Sequence, residues 1–319
     1  MGYDTTKVCK LLGVSRSNYY KQRRRNLTEK RRKDEQLVIQ CFKEHHGRYG
    51  RIRIRKALLE QGYTVSEYQI ARILEENGLI AKSGRKRRHY ANKATEQQCI
   101  EENLIQNKTS VTEINYLWCA DITELKYASK EKLFLAGVID VASRRLIGWA
   151  IGKRQTKELV QDAFRMAVGR NPIRPMDAVF HSDRGVQYTA LSTKTLIESY
   201  GFRKSMSRPG TPHDNQPIES FWRTLEVEMS DIRHLNFEEA CRSIVAYIEC
   251  YYNPIRLHSS LNYLSPNTFF SLFLSTYLDK FRLRNLCILT NCMPLVYNLT
   301  SGGHLRPPLA SKMLFYYLF

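Results

Sequence analysis

An aspartate stands inside an apolar run, Leu117-Trp118-Cys119-Ala120-Asp121-Ile122. Such a run reads as a buried strand, and a charge within one is costly unless it is paired or binds a metal. The fold must therefore give this carboxylate a partner. Two further acids have related settings. Asp183 follows the apolar run Ala178-Val179-Phe180, which leads into a turn at Arg184-Gly185. Glu219 opens a helical pattern with apolar residues at Ile218, Phe221, Trp222 and Leu225, spaced i, i+3, i+4, i+7. Two strand ends and a helix can bring three carboxylates to one point. Oxygen-only ligands suit Mg²⁺ or Mn²⁺. Two such ions about 3.5–4 Å apart activate a nucleophile and stabilise a leaving oxygen in phosphodiester chemistry. Taken singly, each acid is better explained as a solvated residue or a cap; taken as a set in this context, the three are not.

The segments around the acids predict an α/β layer. Leu117–Leu125, Leu133–Val141 and Leu146–Ile151 read as three strands of a meander. Thr156 caps a helix running to Val168; the Val179 strand, a Ser192–Tyr200 helix, a short strand at Phe202-Arg203 and the Glu219 helix follow. Asp140 also lies in a strand and competes with Asp121 for a metal role. It is read instead as bonding the Ser143-Arg144-Arg145 turn.

The chain carries a formal charge of +19 over 319 residues, which favours a nucleic-acid partner over a membrane surface. Residues 1–112 hold 25 Lys and Arg against 12 Asp and Glu. Lys7 to Leu12, a break at Gly13-Val14 and a Ser15 cap form a helix-turn-helix pattern. It places Arg16, Ser17 and Asn18 at the start of a recognition helix; a plain helical hairpin fits the same residues. A second helix is expected to stop near Tyr20, with the basic run Lys21 to Lys33 as a linker or a phosphate-contacting face. Three helices are expected over Asp34–His46, Ile52–Leu59 and from the Ser66-x-x-Gln69 capping box to Gly78, with Arg53 as a DNA contact. Arg87 and Arg88, beside Tyr90, fit a backbone-tracking segment, and a disordered linker fits equally. Lys204, Arg208 and Arg223 lie between or just beyond the second and third acids and are candidate DNA contacts. The eight cysteines form no Cys-x-x-Cys pair and read as thiols of a reducing cytoplasm. A polar start without a signal-peptide pattern agrees with a cytoplasmic, nucleoid-associated protein.

Three motifs carry a resemblance. Trp118-x-x-Asp121-x-Thr123, His181-Ser182-Asp183-x-Gly185-x-Gln187-Tyr188 and Asp214-Asn215-x-x-x-Glu219-Ser220-Phe221 resemble the catalytic core of DDE transposases. They are most similar to the second-frame transposase of the insertion-sequence-three family, within the retroviral integrase superfamily. The thirty-five residues between Asp183 and Glu219 match that family's spacing. The resemblance covers roughly residues 33–270 and includes a closing Tyr252-Asn253-x-x-Arg256-x-His258-x-x-Leu261. Gln216-Pro217 departs from the small residue usual after Asp-Asn, and proline is tolerated in a helix's first turn.

The resemblance implies an RNase H-like core with Asp121, Asp183 and Glu219 as catalytic and metal-binding triad. It also implies DNA strand cleavage and strand transfer with two Mg²⁺ (or Mn²⁺) ions, at the terminal inverted repeats of an insertion sequence and on target DNA. A homo-oligomer on double-stranded DNA and an upstream-frame product are the implied partners. The expected organisation is a helix-turn-helix-like segment over 1–26, a helical DNA-binding domain over 27–84, a basic linker over 85–112, the integrase catalytic core over 113–270 and an atypical apolar tail over 271–319. Two rivals remain: a DNA-binding remnant with a dead core, and an RNase H-type nuclease. Arg256 and His258 either reach DNA or pack on the core. From Asn285 onward only Arg306 and Lys312 are charged, and Pro294, Gly302-Gly303 and Pro307-Pro308 interrupt the tail. It is too broken to span a membrane and reads as foreign to the fold or as a partner-binding extension.

Overall fold

The computed structural model describes residues 4–82, 101–105, 111–129, 131–172, 174–208 and 215–276, without the side chains of 23 and 25–27. Residues 1–270 form one unit and Ser271–Phe319 a second, of which only 271–276, a helical stretch, are described. The expected tail features from Asn285 onward lie outside the described residues.

Five strands form the sheet: β1 (Leu117–Tyr127), β2 (Glu131–Asp140), β3 (Leu146–Gly152), β4 (Val179–Ser182) and β5 (Arg203–Met206). Their order is β3-β2-β1-β4-β5. The first three make the antiparallel meander expected from their sequence, and β4 and β5 run parallel to β1. The alternation along β1 splits two cores. Leu117, Cys119 and Leu125 face one side, with α8 (Gln216–Glu228) and α9 (Phe237–Ala246); Trp118 and Ala120 face the other, with α5 (Lys157–Arg170) and α7 (Leu191–Ser199). Thr156 caps α5 by accepting from Leu159 N at 3.3 Å, as its position predicts. Between β4 and α7 lies the four-residue helix α6 (Val186–Thr189).

The fit of α5 on β3 depends on Gly148. A Cβ there would stand 2.2 Å from the Ala163 carbonyl oxygen and 2.7 Å from Ala167 N. These are backbone atoms of the opposing helix, so strand and helix would have to separate. Gly148→Ala is expected to destabilise the protein by about 1–3 kcal/mol or more, seen as a lower urea midpoint. An unchanged midpoint would show that the contact is looser than described.

Upstream, α1 (Thr5–Leu11) and α2 (Arg16–Glu44) flank a turn at Gly13, whose φ of +64° suits glycine. Ser15 caps α2 by accepting from Asn18 N at 3.2 Å. The expected break after Tyr20 does not occur. One helix of 29 residues runs through the basic run, and the expected boundary between residues 26 and 27 falls inside it. Arg, Lys, Gln and Glu dominate this stretch; all are good helix formers, and neither Gly nor Pro interrupts them. The end of α2 packs with α3 (Arg51–Glu60) and α4 (Glu67–Glu76), and Ser66 and Gln69 form the predicted capping box.

This three-helix module shares its core with the sheet. Tyr49, fully buried, donates its hydroxyl to Ile255 O (3.2 Å) and accepts from Leu257 N (3.1 Å). Arg48 donates to Glu228 O at 2.9 Å and lies 4.1 Å from the centre of the Tyr251 ring. Beyond α9 the helix widens into a π turn over Tyr247–Tyr252. There Asn253 bonds both the N–H and the carbonyl of Leu146, each at 3.0 Å, satisfying the free edge of β3. Buried Arg256 forks onto Glu228, two bonds of 2.8 Å. Burial and the neighbouring Arg256, Arg144 and Arg53 push the His258 imidazole down to about 3. It is therefore neutral at working pH, and the Arg256 charge is spent on Glu228 within the fold.

Candidate active site at the carboxyl ends of β1 and β4

Asp121 and Asp183 come together through sheet register. Parallel pairing of β1 with β4 matches Ala120 to Ser182, so the next residue on each strand is an aspartate. Adjacent strands are about 4.8 Å apart, and strand alternation puts Asp121 on the side of Cys119, facing α8. Glu219 lies in the first turn of α8, with Pro217 at the helix start where a missing N–H is harmless.

Five hydrogen bonds hold this corner. The Trp222 indole donates to Asp121 Oδ2 at 3.0 Å. The Trp222 ring fits there because Gly137, opposite Asp121 in the β1–β2 ladder, has no side chain; a Cβ would meet the ring at 2.6 Å. Buried Asn215, just ahead of α8, donates to Ala120 O at 3.1 Å and pins the helix start to the strand beside Asp121. Beneath Asp183, buried His181 bonds Ser205 and Ser207 through its two ring nitrogens, each at 2.9 Å. Asp183 itself accepts from Gly185 N at 3.0 Å.

The electrostatics mark these acids as a group. Burial first, and then the Asp183 charge, push the Asp121 carboxyl up to about 8; Glu219 adds to the rise, and the bonds from Ile122 N and Trp222 oppose it. Burial also raises Asp183, although its side chain keeps solvent access. A carboxylate repelled by two others is the arrangement a divalent cation relieves. The donors are all oxygen, which fits Mg²⁺ or Mn²⁺. Among the described residues, however, no three His, Cys, Asp or Glu side chains are drawn close enough to form a finished metal cage. Asp140 is engaged elsewhere: fully buried, it accepts from Asn115 N and Ser143 N at 2.9 Å and from Ser143 Oγ at 2.5 Å.

The residues expected to meet DNA fall into different places. Arg16, Ser17 and Asn18 are exposed in the first turn of α2, and Arg223 is exposed one turn beyond Glu219. Arg208 is exposed where β5 leads toward residues 209–214. Arg87 and Arg88 lie outside the described residues. Two expectations are corrected. Lys204 is buried and donates to Tyr188 O at 2.6 Å, so its charge serves the packing of β5 on α6. Arg53 is turned inward toward Glu228 at 3.4 Å and toward the Tyr49 ring. Lys204 is closed off from a duplex, whereas the Arg53 side chain keeps 25% exposure.

An integrase core domain family matches residues 111–212, a second integrase core domain family residues 200–266, and an HTH-like domain family residues 29–88. The chain is 37% identical to the transposase for insertion sequence element IS904 of Lactococcus lactis, over 72% of this chain and 89% of that protein. It is 35% identical to transposase InsF for insertion sequence IS3A of Escherichia coli, over 82% of this chain and 92% of that one. The chain belongs to the insertion-sequence-three family of transposases. Its function is therefore DNA transposition, a recombination reaction. The first integrase core match spans both aspartates and the second spans Glu219. Among solved structures, the catalytic core domain of BIV integrase matches at 16% identity and a TM-score of 0.35, over 52% of this chain and 99% of that one.

Trp222 and Asn215 are the partners that sequence reasoning missed. Trp222 reads as a core residue by periodicity, and its indole N–H carries no periodic signal. Asn215 had a weak one, standing directly ahead of a helix between two motif acids.

Proposed function

We propose that this transposase cuts and joins DNA with Asp121, Asp183 and Glu219 as its catalytic carboxylates, which would hold Mg²⁺ or Mn²⁺, two ions in the full reaction. The observation that carries this reading is the corner itself, where half-buried Asp121 is tethered by Trp222 and its ionisation is opposed by the charges of Asp183 and Glu219. When bound, such ions supply Lewis-acid stabilisation of the developing charge and a nucleophile at neutral pH. The protein's part is positional. The β1–β4 pairing fixes two carboxylates side by side, and Asn215 fixes the third on its helix. Rigid placement of this kind supports in-line phosphoryl transfer without a covalent enzyme intermediate.

The partner would be double-stranded DNA, first the element's terminal inverted repeats and then target DNA. Exposed Arg16, Ser17, Asn18, Arg208 and Arg223 are the candidate contacts within the described residues, and Arg87 and Arg88 extend the set by sequence. Handling two ends together calls for a homo-oligomer on DNA, with an upstream-frame product as a further partner. No helix among the described residues is long and apolar enough to cross a membrane, and a cytoplasmic place at the nucleoid is part of the same reading.

The test uses labelled duplexes carrying the ends that flank the coding region, with Mg²⁺, scored for strand hydrolysis and for joining of a 3′ end. Both products are expected. Binding without either product would favour a dead remnant, and cleavage confined to RNA–DNA hybrids would favour a nuclease.

A further inference from the structure

The two halves of α2 differ in what surrounds them. In the second half Val38, Cys41 and Phe42 are buried in the core shared with α3 and α4. From Arg16 to Lys33 every described side chain is exposed. This exposed half holds nine Lys and Arg against one acid, Glu29. A helix that is polar all round is ordinarily supported by opposite charges one turn apart. One acid cannot supply them, so like charges repel along the helix and a polyanion would relieve the repulsion.

The buried half fixes which side of the exposed half faces away from the module. An α-helix turns by about 100° per residue. Arg31, seven residues before Val38, comes round to the buried side, and its guanidinium donates to the two Glu76 carboxylate oxygens of α4 at 3.2 and 3.1 Å. Asn18, Gln22 and Glu29 stand about 160–200° around the axis from Val38, so they share the outer face. Lys21 and Arg32 flank that face on one side, and Lys30 and Lys33 flank it on the other.

This pattern has a chemical reading. In the major groove, Asn and Gln amides pair with adenine N6 and N7, and a carboxylate accepts from cytosine N4. The groove is about 12 Å wide, and a helix with its side chains is about 10–12 Å across. Cations on both flanks of such a helix meet the phosphates of the two strands.

We propose that the outer face of α2 from Asn18 to Lys33 lies in the major groove of duplex DNA, with Asn18, Gln22 and Glu29 toward base edges and the flanking Lys and Arg on the two backbones. The reading face then runs about three turns beyond Asn18, because α2 continues unbroken through the basic run. The inference rests on the reading of duplex DNA as the partner and names the surface that selects its sequence.

The experiment compares full chains: wild type, the double variant Asn18→Ala with Gln22→Ala, the double variant Lys21→Ala with Arg32→Ala, and Arg31→Ala. Each is titrated by fluorescence anisotropy with a labelled duplex carrying an end that flanks the coding region, and with a scrambled duplex of the same length and composition, over a range of salt. Alanine is the best helix former, so loss of α2 does not confound the comparison. A bidentate amide–adenine pair is worth about tenfold in discrimination. The amide variant is therefore expected to lose about tenfold or more of the preference for the element end while still binding the scrambled duplex. The charge variant should weaken binding to both duplexes and reduce the slope of log affinity against log salt by about 2. Arg31→Ala should keep the wild-type preference. An amide variant with wild-type preference would overturn the proposal, and so would a wild-type salt slope in the charge variant or an equal loss of preference in Arg31→Ala. If wild type binds both duplexes alike, the DNA partner stands and the base-reading face is overturned. If wild type binds neither, the reading of duplex DNA as the partner fails and this inference falls with it.

Discussion

Asp121→Asn should abolish strand cleavage and at the same time stabilise the metal-free protein at pH 8. The two effects share one cause. Burial and the charges of Asp183 and Glu219 make ionised Asp121 costly, with a folded pKa of about 8 against about 3.9 in an unfolded chain. A carboxyl whose pKa is raised by folding contributes its stability fully below the unfolded value. That contribution is lost as pH rises through the folded value, by up to about 1.4 kcal/mol per pH unit. Asp183 shifts in the same direction. Metal-free wild type should therefore lose stability between pH 5 and pH 8, and Mg²⁺ should restore it. Asp121→Asn should flatten the pH slope, raise the melting temperature at pH 8 and remove the response to Mg²⁺. The comparison variant is Asp140→Asn. It introduces an amide among donors that now meet a carboxylate, so it should lower stability instead. Cleavage surviving in Asp121→Asn, or a pH-independent wild type, would contradict the assignment.

The sheet and its acids were legible because their signals are local. Three apolar runs broken by turns announce a meander, and an acid within or just after a strand run announces a strained position. The Asp140 reading also followed from nearby residues, since Ser143 lies three positions on and supplies two of its donors. What escaped were pairings distant in sequence. Lys204 looked like a loop cation, yet it lies within β5 and its acceptor is the backbone of α6, sixteen residues earlier. Arg53 looked like one of several exposed basic residues on α3, but it flanks the buried stripe of Ile54, Ala57 and Leu58. Its acidic partner is 175 residues downstream. The uninterrupted α2 was missed for another reason. A charge run carries no apolar periodicity, and only helix propensity and the absence of breakers reveal it.

Glu228→Gln is expected to cost about 3–5 kcal/mol, because it strips the charge partner from a buried arginine. Glu228 lies at the C-terminal end of the helix whose first turn carries Glu219, and it is buried with four neighbours. Arg256 gives it two bonds of 2.8 Å, Tyr247 donates its hydroxyl at 3.1 Å, and Arg53 approaches at 3.4 Å from the N-terminal module. Arg48 of the same module bonds the Glu228 carbonyl. The cluster therefore joins three parts: the acid-bearing helix, the closing motif and the helical module. Arg53→Met removes only the longest and most exposed of these bonds and should cost about 1 kcal/mol or less. Equilibrium unfolding in urea separates the possibilities, because Trp118, Trp149 and Trp222 are the chain's three tryptophans and all lie at or beyond β1. Their fluorescence follows the sheet and α8, whereas far-ultraviolet circular dichroism also follows α2, α3 and α4. In wild type the two signals should change together. In Glu228→Gln the midpoint should fall, with the helical signal leaving at lower urea than the fluorescence. Signals that already separate in wild type, or a loss below about 1 kcal/mol in Glu228→Gln, would show that the module and the core are held together by their apolar contacts and not by this cluster.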